Sequence, residues 1–178
     1  MNGKVHATAG VVFGLAGLYV LTKIPDANLF VENVLPQVVY KEITVGQVAN
    51  AGVVVASSWL GSLLPDIDHP TSTMSKKFFL VSIPYRIMQF IFGKFKYTKD
   101  FVGHRGITHS LLFLSIPILL MLFAFSNPWL DLAMLGLSVG IFSHLFMDML
   151  NPMGVPLFLP FAKKKFRLLP KKVCIKTR

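Results

Sequence analysis

The chain has little of what usually builds a soluble domain. Cys174 is the single cysteine in 178 residues, which excludes an intramolecular disulfide and a thiolate zinc cluster. Any bound metal must therefore be held by nitrogen and oxygen. Charged residues make up 15% of the chain, against about 25% in typical soluble proteins. Acids are scarcer still, eight against eighteen Lys and Arg. There is no internal repeat of useful length and no low-complexity linker, and the length suits one domain. What is abundant is apolar: 53% of the residues are hydrophobic, and uncharged runs long enough to cross a bilayer recur. These features predict a polytopic membrane protein. The net charge of +10 does not mark a nucleic-acid protein, because the basic residues flank hydrophobic runs instead of interleaving with aromatics.

Taken in order, Val5 to Thr22 is a first span of 18 uncharged residues between Lys4 and Lys23, close to the hydrocarbon thickness when helical. It has the charge and apolar run of a signal peptide, but no small-residue cleavage site precedes Lys23 and Pro25, so it is expected to stay. His6, Gly10 and Gly14 step by four and share a face, and Gly-x-x-x-Gly lets another helix approach closely. Lys23 to Glu42 reads as a loop or short surface helix. Ile43 to Pro65 is the second span, ending in Pro-Asp-Ile-Asp-His-Pro, where two prolines stop the helix and favour an extended exit. A basic loop follows. Phe78 to Phe92, interrupted by Pro84 and Arg86, is expected to lie in the interface, with a fifth span as the alternative. Gly106 to Phe125 is the third span, bent at Pro117. Asn127 and Pro128 carry the signals of an N-cap and a first helical position, opening a fourth span to about Leu150. In that span Gly136, Gly140, His144 and Asp148 again step by four. Ala162 to Arg178 carries eight basic residues and no acid, suiting anionic lipid headgroups.

The expected fold is thus all-α: an integral membrane four-helix bundle of two antiparallel hairpins, with an interfacial helical segment between spans two and three. Residues 1–161 form the membrane domain and 162–178 a basic surface tail. Alternating spans bring every ionisable motif to one end. His6 opens span one, Asp66 and Asp68 close span two, His104 and His109 open span three, and His144 and Asp148 close span four. Sixteen of the eighteen Lys and Arg fall on that side, so both termini and the site are expected to be cytoplasmic.

Ionisable groups at a span end persist where they are paired, hydrated or bound to something. His144 and Asp148, at i and i+4, can grip one ion from a single helical face. His104 and His109, five apart, cannot share a regular face; Gly103 and Gly106 put His104 in the preceding turn and His109 in the first helical turn. Of Asp66 and Asp68, one can bridge while the other ligates or acts as base. Four His and three Asp exceed one tetrahedral zinc, and a pair of divalent ions would use them fully. His and carboxylate donors suit Zn, Mn or Fe and not copper(I). Arg105 is placed to neutralise an oxyanion such as phosphate. Thr108 and Ser110 read as caps or supporting donors. His69 alone reads as a surface residue, Asp131 as a helix-dipole partner, and Met147, Met149 and Met153 as apolar packing.

PDIDH, HRGITHS and SHLFMDMLNPMG together resemble the bacterial inner-membrane proteins described as membrane-bound metal-dependent hydrolases, the LexA-regulated YdjM-like family. The resemblance runs from His6 to Gly154. It implies an inner-membrane location and a metal-dependent hydrolase with His6, Asp66, Asp68, His104, Arg105, His109, His144 and Asp148 as its functional set. The leading expectation is hydrolysis of an ester or phosphoester in a lipid-like substrate by metal-activated water. The metal set is His6, Asp66, Asp68, His104, His109, His144 and Asp148, with Asp68, His104 and Arg105 also in catalysis. A metal-free phosphatidic-acid-type phosphatase is the other enzymatic reading, but the chain lacks that superfamily's Lys-x6-Arg-Pro and Pro-Ser-Gly-His elements. A metal or proton transporter, or a non-catalytic metal-binding membrane protein, is the non-enzymatic one, although transporters place their ligands near the midplane.

Overall fold

Three helices are long and apolar enough to cross a membrane in the computed structural model, at Gly3–Val20, Val48–Asp68 and Pro128–Met149. The structure describes residues 3–21, 45–95, 98–123, 127–171 and 173–174. The predicted loop from Lys23 to Glu42 and the last four residues of the basic tail lie outside them. The described residues form helices α1 (Gly3–Leu21), α2 (Val45–Gly61), α3 (Thr73–Lys77), α4 (Phe79–Phe92), α5 (Lys99–Val102), α6 (Leu111–Phe123) and α7 (Pro128–Met149). No strand occurs among them, only a single antiparallel bridge between Val155 and Phe166.

Small residues bring α1, α2 and α7 together. Gly10 lies so close to α2 that a Cβ there would sit 2.6 Å from Ser62 Cβ and 2.8 Å from the Ser58 carbonyl. Ser58 Oγ donates to the Gly10 carbonyl at 2.7 Å. At the same Ser58 carbonyl, a Cβ at Gly140 of α7 would overlap the oxygen. In lipid, where apolar side chains gain nothing from leaving the acyl chains, such close backbone approach is what lets helices attract. The expected glycine faces of spans one and four are both in these contacts. Helix α6 packs on the outside of α7.

The interior is polar and the exterior greasy. His6, Ser58, Ser62, Asp68, Thr108, His109, His144 and Asp148 are all buried, while Leu80, Phe90, Leu122 and Phe123 are exposed. A soluble domain would have these reversed. An apolar cluster of Leu63, Ile67 and Met74 seals the site end against α3 and α4.

Several boundaries differ from the sequence reading, each for a local reason. The third span was expected from Gly106, but its helix starts at Leu111, because Ile107–His109 close a separate 3-10 turn. Helix α6 has 13 residues and rises about 20 Å, short of the about 30 Å hydrocarbon core. The described residues therefore give three candidate crossings where four were expected. Helix α2 ends at Gly61, and Leu64–Asp68 form a 3-10 turn instead of the extended exit expected. Pro65 sits in its first turn, where a fixed φ favours helical geometry and the missing N–H has no partner to lose. Pro84 does not break α4, which runs on for 14 residues, again shorter than a crossing. The N-cap is where the sequence put it: Asn127 Oδ1 accepts from Trp129 N at 2.9 Å.

The tail folds back before it runs on. Val155 and Phe166 pair through their backbones, Leu168 N donates to the Met149 carbonyl, and Leu111 N to that of Leu157. The chain after α7 thereby braces the start of α6. Helix α4 is clipped to the site by Gln89, whose Nε2 donates to the Asp68 carbonyl at 3.0 Å and the Val102 carbonyl at 2.7 Å. Gln89→Leu takes a donor from both carbonyls, of which Val102 keeps Tyr85 Oη, and is expected to cost about 1–3 kcal/mol, read as a lower midpoint of thermal unfolding in detergent.

Candidate metal centre

The 3-10 geometry of Leu64–Asp68 decides where its two carboxylates go. At about three residues per turn, positions two apart point well away from each other, so Asp66 and Asp68 face different partners. Asp66 Oδ1 lies 3.9 Å from His109 Nε2 and 3.7 Å from His144 Nε2. Asp68 turns the other way. Its Oδ1 meets His104 Nδ1 at 2.8 Å. Its Oδ2 accepts from Arg105 N and from Thr108 Oγ1, each at 2.9 Å. His109 Nδ1 approaches the same oxygen at 3.4 Å.

His144 and Asp148 arrive from the last turns of α7. His144 Nδ1 donates to the Ser62 carbonyl at 2.6 Å, which fixes the tautomer and leaves Nε2 as the lone-pair nitrogen. That Nε2 lies 3.2 Å from His109 Nε2 and 3.9 Å from Asp148 Oδ2. His109 Nε2 is 3.6 Å from the same Asp148 oxygen. His109 in turn has its Nδ1 toward Asp68, so both imidazoles offer Nε2 to one point. Asp148 Oδ1 accepts from Asn151 Nδ2 at 3.0 Å and lies 3.5 Å from His6 Nε2. The His6 ring stacks on His144 with centroids 3.8 Å apart.

Two groups can hold an ion among the described residues: Asp66, His109 and His144, and His6, His144 and Asp148. The donor set fits a metal on geometry. Bonds of about 2.0–2.1 Å to the corners of a tetrahedron put those corners about 3.4 Å apart. Within the group of Asp66 Oδ1, His109 Nε2 and His144 Nε2 the separations are 3.2, 3.7 and 3.9 Å, and Asp148 Oδ2 lies 3.6 and 3.9 Å from the two imidazole nitrogens. Charge fits as well. The site holds three carboxylates and one guanidinium, which pairs with Asp148, and with neutral imidazoles the surplus of two negative charges is what one divalent cation balances.

All seven sequence-predicted ligands meet at one end of the helices. Asp68 and His104 stand one layer out from the two ion-holding groups, on the far side of His109. Arg105 sits between the layers: its Nη2 lies 3.3 Å from Asp148 Oδ2, while Nε and Nη1 are buried without a protein partner. Its φ is +59°, in the left-handed region that costs a side-chain-bearing residue about 1–2 kcal/mol. Two unpaired buried donors and a strained backbone at one residue mark a position held for its side chain. His69 is off the centre, its Nδ1 on Thr71 Oγ1 at 2.9 Å and its ring 4.7 Å from that of His104. Asp131 lies in the first turn of α7, at the other end of the helix.

Four contributors escaped the sequence reading. Ser62 acts through its carbonyl, which no side-chain pattern reveals. Asn151 reads as a helix stop, yet its spacing of three from Asp148 is the available signal. Gln89 and Tyr85 reach in from α4. Tyr85 Oη donates to the Val102 carbonyl at 3.2 Å. Burial and the nearby Asp68 carboxylate push this phenol above its ordinary value, so it remains a donor at any working pH.

A cavity of about 270 Å³ opens beside the centre, lined by Asp66, His104 and Arg105 together with Gly3, His69 and Thr71.

The profile of the family described as YdjM inner membrane protein matches residues 1–176. Inner membrane protein YdjM of Escherichia coli (strain K12) is 39% identical over 119 residues, covering 65% of this chain and 53% of the relative. The Shigella flexneri protein of the same name matches to the same extent. Protein YvsG of Bacillus subtilis (strain 168) is 34% identical over 109 residues, 61% of this chain and 58% of that protein. The chain thus spans about half the length of the curated relatives it matches. No solved structure matches it.

Proposed function

Since the chain belongs to the YdjM family of inner membrane proteins, we propose that its His/Asp centre binds a divalent metal and hydrolyses an ester or phosphoester of a membrane-associated substrate. The observation that carries this is the convergence of His109 Nε2 and His144 Nε2, 3.2 Å apart, on the carboxylates of Asp66 and Asp148 beside an open cavity. Each imidazole is oriented from behind, one by Asp68 and one by the Ser62 carbonyl, as metal-ligating histidines usually are.

One ion is the better reading. Both ion-holding groups draw on His144, and its Nδ1 is committed to Ser62, so a single lone pair serves both. Asp148 Oδ1 already accepts from Asn151, which leaves His6 as a supporting neighbour. Nitrogen and carboxylate donors suit Zn, Mn or Fe. When bound, such an ion supplies Lewis acidity and an activated water.

The chain's own groups do the rest. Arg105 neutralises charge that develops on the substrate. His104, with Nδ1 held by Asp68 and 43% of its side chain exposed, is placed to hand a proton to the leaving oxygen at the cavity. Water adds to the carbonyl carbon or phosphorus and gives up a proton to solvent in the cavity, the ester bond breaks, the departing alcohol takes the proton of His104, and His104 regains one from the same solvent. The greasy exterior and the basic residues around the site suit a substrate presented by the membrane. On this reading α6 joins the three longer helices as two antiparallel hairpins, with α4 in the interface. Both termini and the site are cytoplasmic, and the basic tail lies on anionic headgroups.

The test is turnover of a panel of ester and phosphoester lipids by protein purified in detergent. Activity should vanish on stripping the metal, return with added Zn or Mn, and be absent from Asp66→Asn. Undiminished turnover after complete metal removal would refute the reading.

A further inference from the structure

The cavity wall holds a cation whose pairing is incomplete. Only Nη2 of Arg105 meets Asp148, while Nε and Nη1 are buried with no protein partner, and the side chain is 9% exposed. Arg105 lines the cavity, and its unpartnered Nε and Nη1 lie just behind that surface, closed to water; a small turn of the side chain makes them an anion receptor, since Arg matches oxyanions better than any other side chain. Other donors stand around the same space. His104 keeps Nε2 free, because Nδ1 is on Asp68. The Ser72 hydroxyl accepts from Ser75 N, so its proton is available to the cavity it lines.

We propose that this cavity binds the phosphoryl group of a phosphomonoester, with Arg105 as its principal receptor, which names the substrate class of the centre and rests on the hydrolase reading above. A carboxylate has two oxygens and would leave part of this donor set idle. A phosphomonoester has three terminal oxygens spread tetrahedrally, which donors approaching from several sides can satisfy together. A volume of about 270 Å³ takes a phosphate and a few carbons, so the rest of a larger molecule stays outside. Asp66, which also lines the cavity, repels such an anion unless its charge is balanced, so binding should depend on the metal. The left-handed backbone at Arg105 is explained by the same need: glycine would sit there without strain but would present no receptor.

The experiment uses the full chain in phosphatidylcholine nanodiscs, with metal content measured on every sample. Binding of inorganic phosphate and of dihexanoyl phosphatidic acid is followed by phosphorus NMR titration. Saturable binding of at least one probe is expected in metal-replete protein, weaker once the metal is stripped. Arg105→Gln should weaken it about ten- to hundredfold with metal content retained, and Arg105→Lys should fall between the two. Arg105→Gly, which relaxes the backbone, repeats the test in a variant under no local strain. Tighter binding of the lipid assigns the cavity to a headgroup, and equal binding to a water-soluble phosphomonoester. If metal is present and neither probe binds, or Arg105→Gln and Arg105→Gly bind like wild type, the phosphoryl assignment is wrong while the metal centre stands. If wild type holds no stoichiometric metal, it is the centre that fails.

Discussion

His144→Ala is expected to empty the protein of metal, from about one divalent ion per chain, the number a four-donor site takes. His144 is the one residue in both ion-holding groups, and none of the neighbouring donors can replace its Nε2. With free metal a thousandfold above its dissociation constant, wild type gains about 4 kcal/mol from binding, and the variant should gain none. Asp66→Asn makes the complementary case. It too should lose the metal, but it removes one of three carboxylates in a site whose one guanidinium pairs with Asp148. Without metal, Asp66→Asn should therefore unfold at a higher temperature than wild type, whereas metal-saturated wild type should exceed both. Metal analysis and thermal unfolding with and without chelator read these out. Stoichiometric metal in His144→Ala would show that the cluster is not the binding site.

Gly140→Ala is expected to have the largest effect on folding. Its new methyl group would overlap the Ser58 carbonyl oxygen and come within 2.7 Å of Ser62 N, and backbone atoms cannot swing aside as a flexible side chain can. Pushing α7 off α2 should cost about 3 kcal/mol or more. It would also pull the Ser62 carbonyl away from His144, so metal affinity should fall with stability. Gly52→Ala is the control. A Cβ there meets nothing within 4 Å, and replacing glycine inside a helix should add about 0.5–1 kcal/mol. The two substitutions are chemically identical and predicted to have opposite signs. Similar unfolding midpoints for both would contradict the close helix approach.

The convergence of motifs was legible because it needed only periodicity and alternation. Steps of four placed His6 with Gly10 and Gly14, and His144 with Gly140 and Gly136. Helices that alternate in direction then brought the remote His and Asp to one end. Finer geometry was hidden because it lies in the backbone. Pro-Asp-Ile-Asp reads as an extended exit, but a 3-10 turn sends Asp66 inward and Asp68 toward His104. Gly106 reads as the start of a span, yet Ile107–His109 fold first as their own turn, and α6 is left with 13 residues. Nothing in the sequence marks Arg105 as left-handed or Ser62 as a carbonyl acceptor. Both depend on contacts between segments far apart in the chain.

The inverted distribution of polarity carries a consequence for assembly. Oily flanks are equally content against lipid or against one another, so they give α1, α2 and α7 no reason to stop sliding at a particular depth. Depth and rotation are set instead by the close glycine contacts and where imidazoles, carboxylates and bared carbonyls dock, at one tip of the bundle. That tip works as a keystone: the same side chains that await an ion also register the rods that carry them.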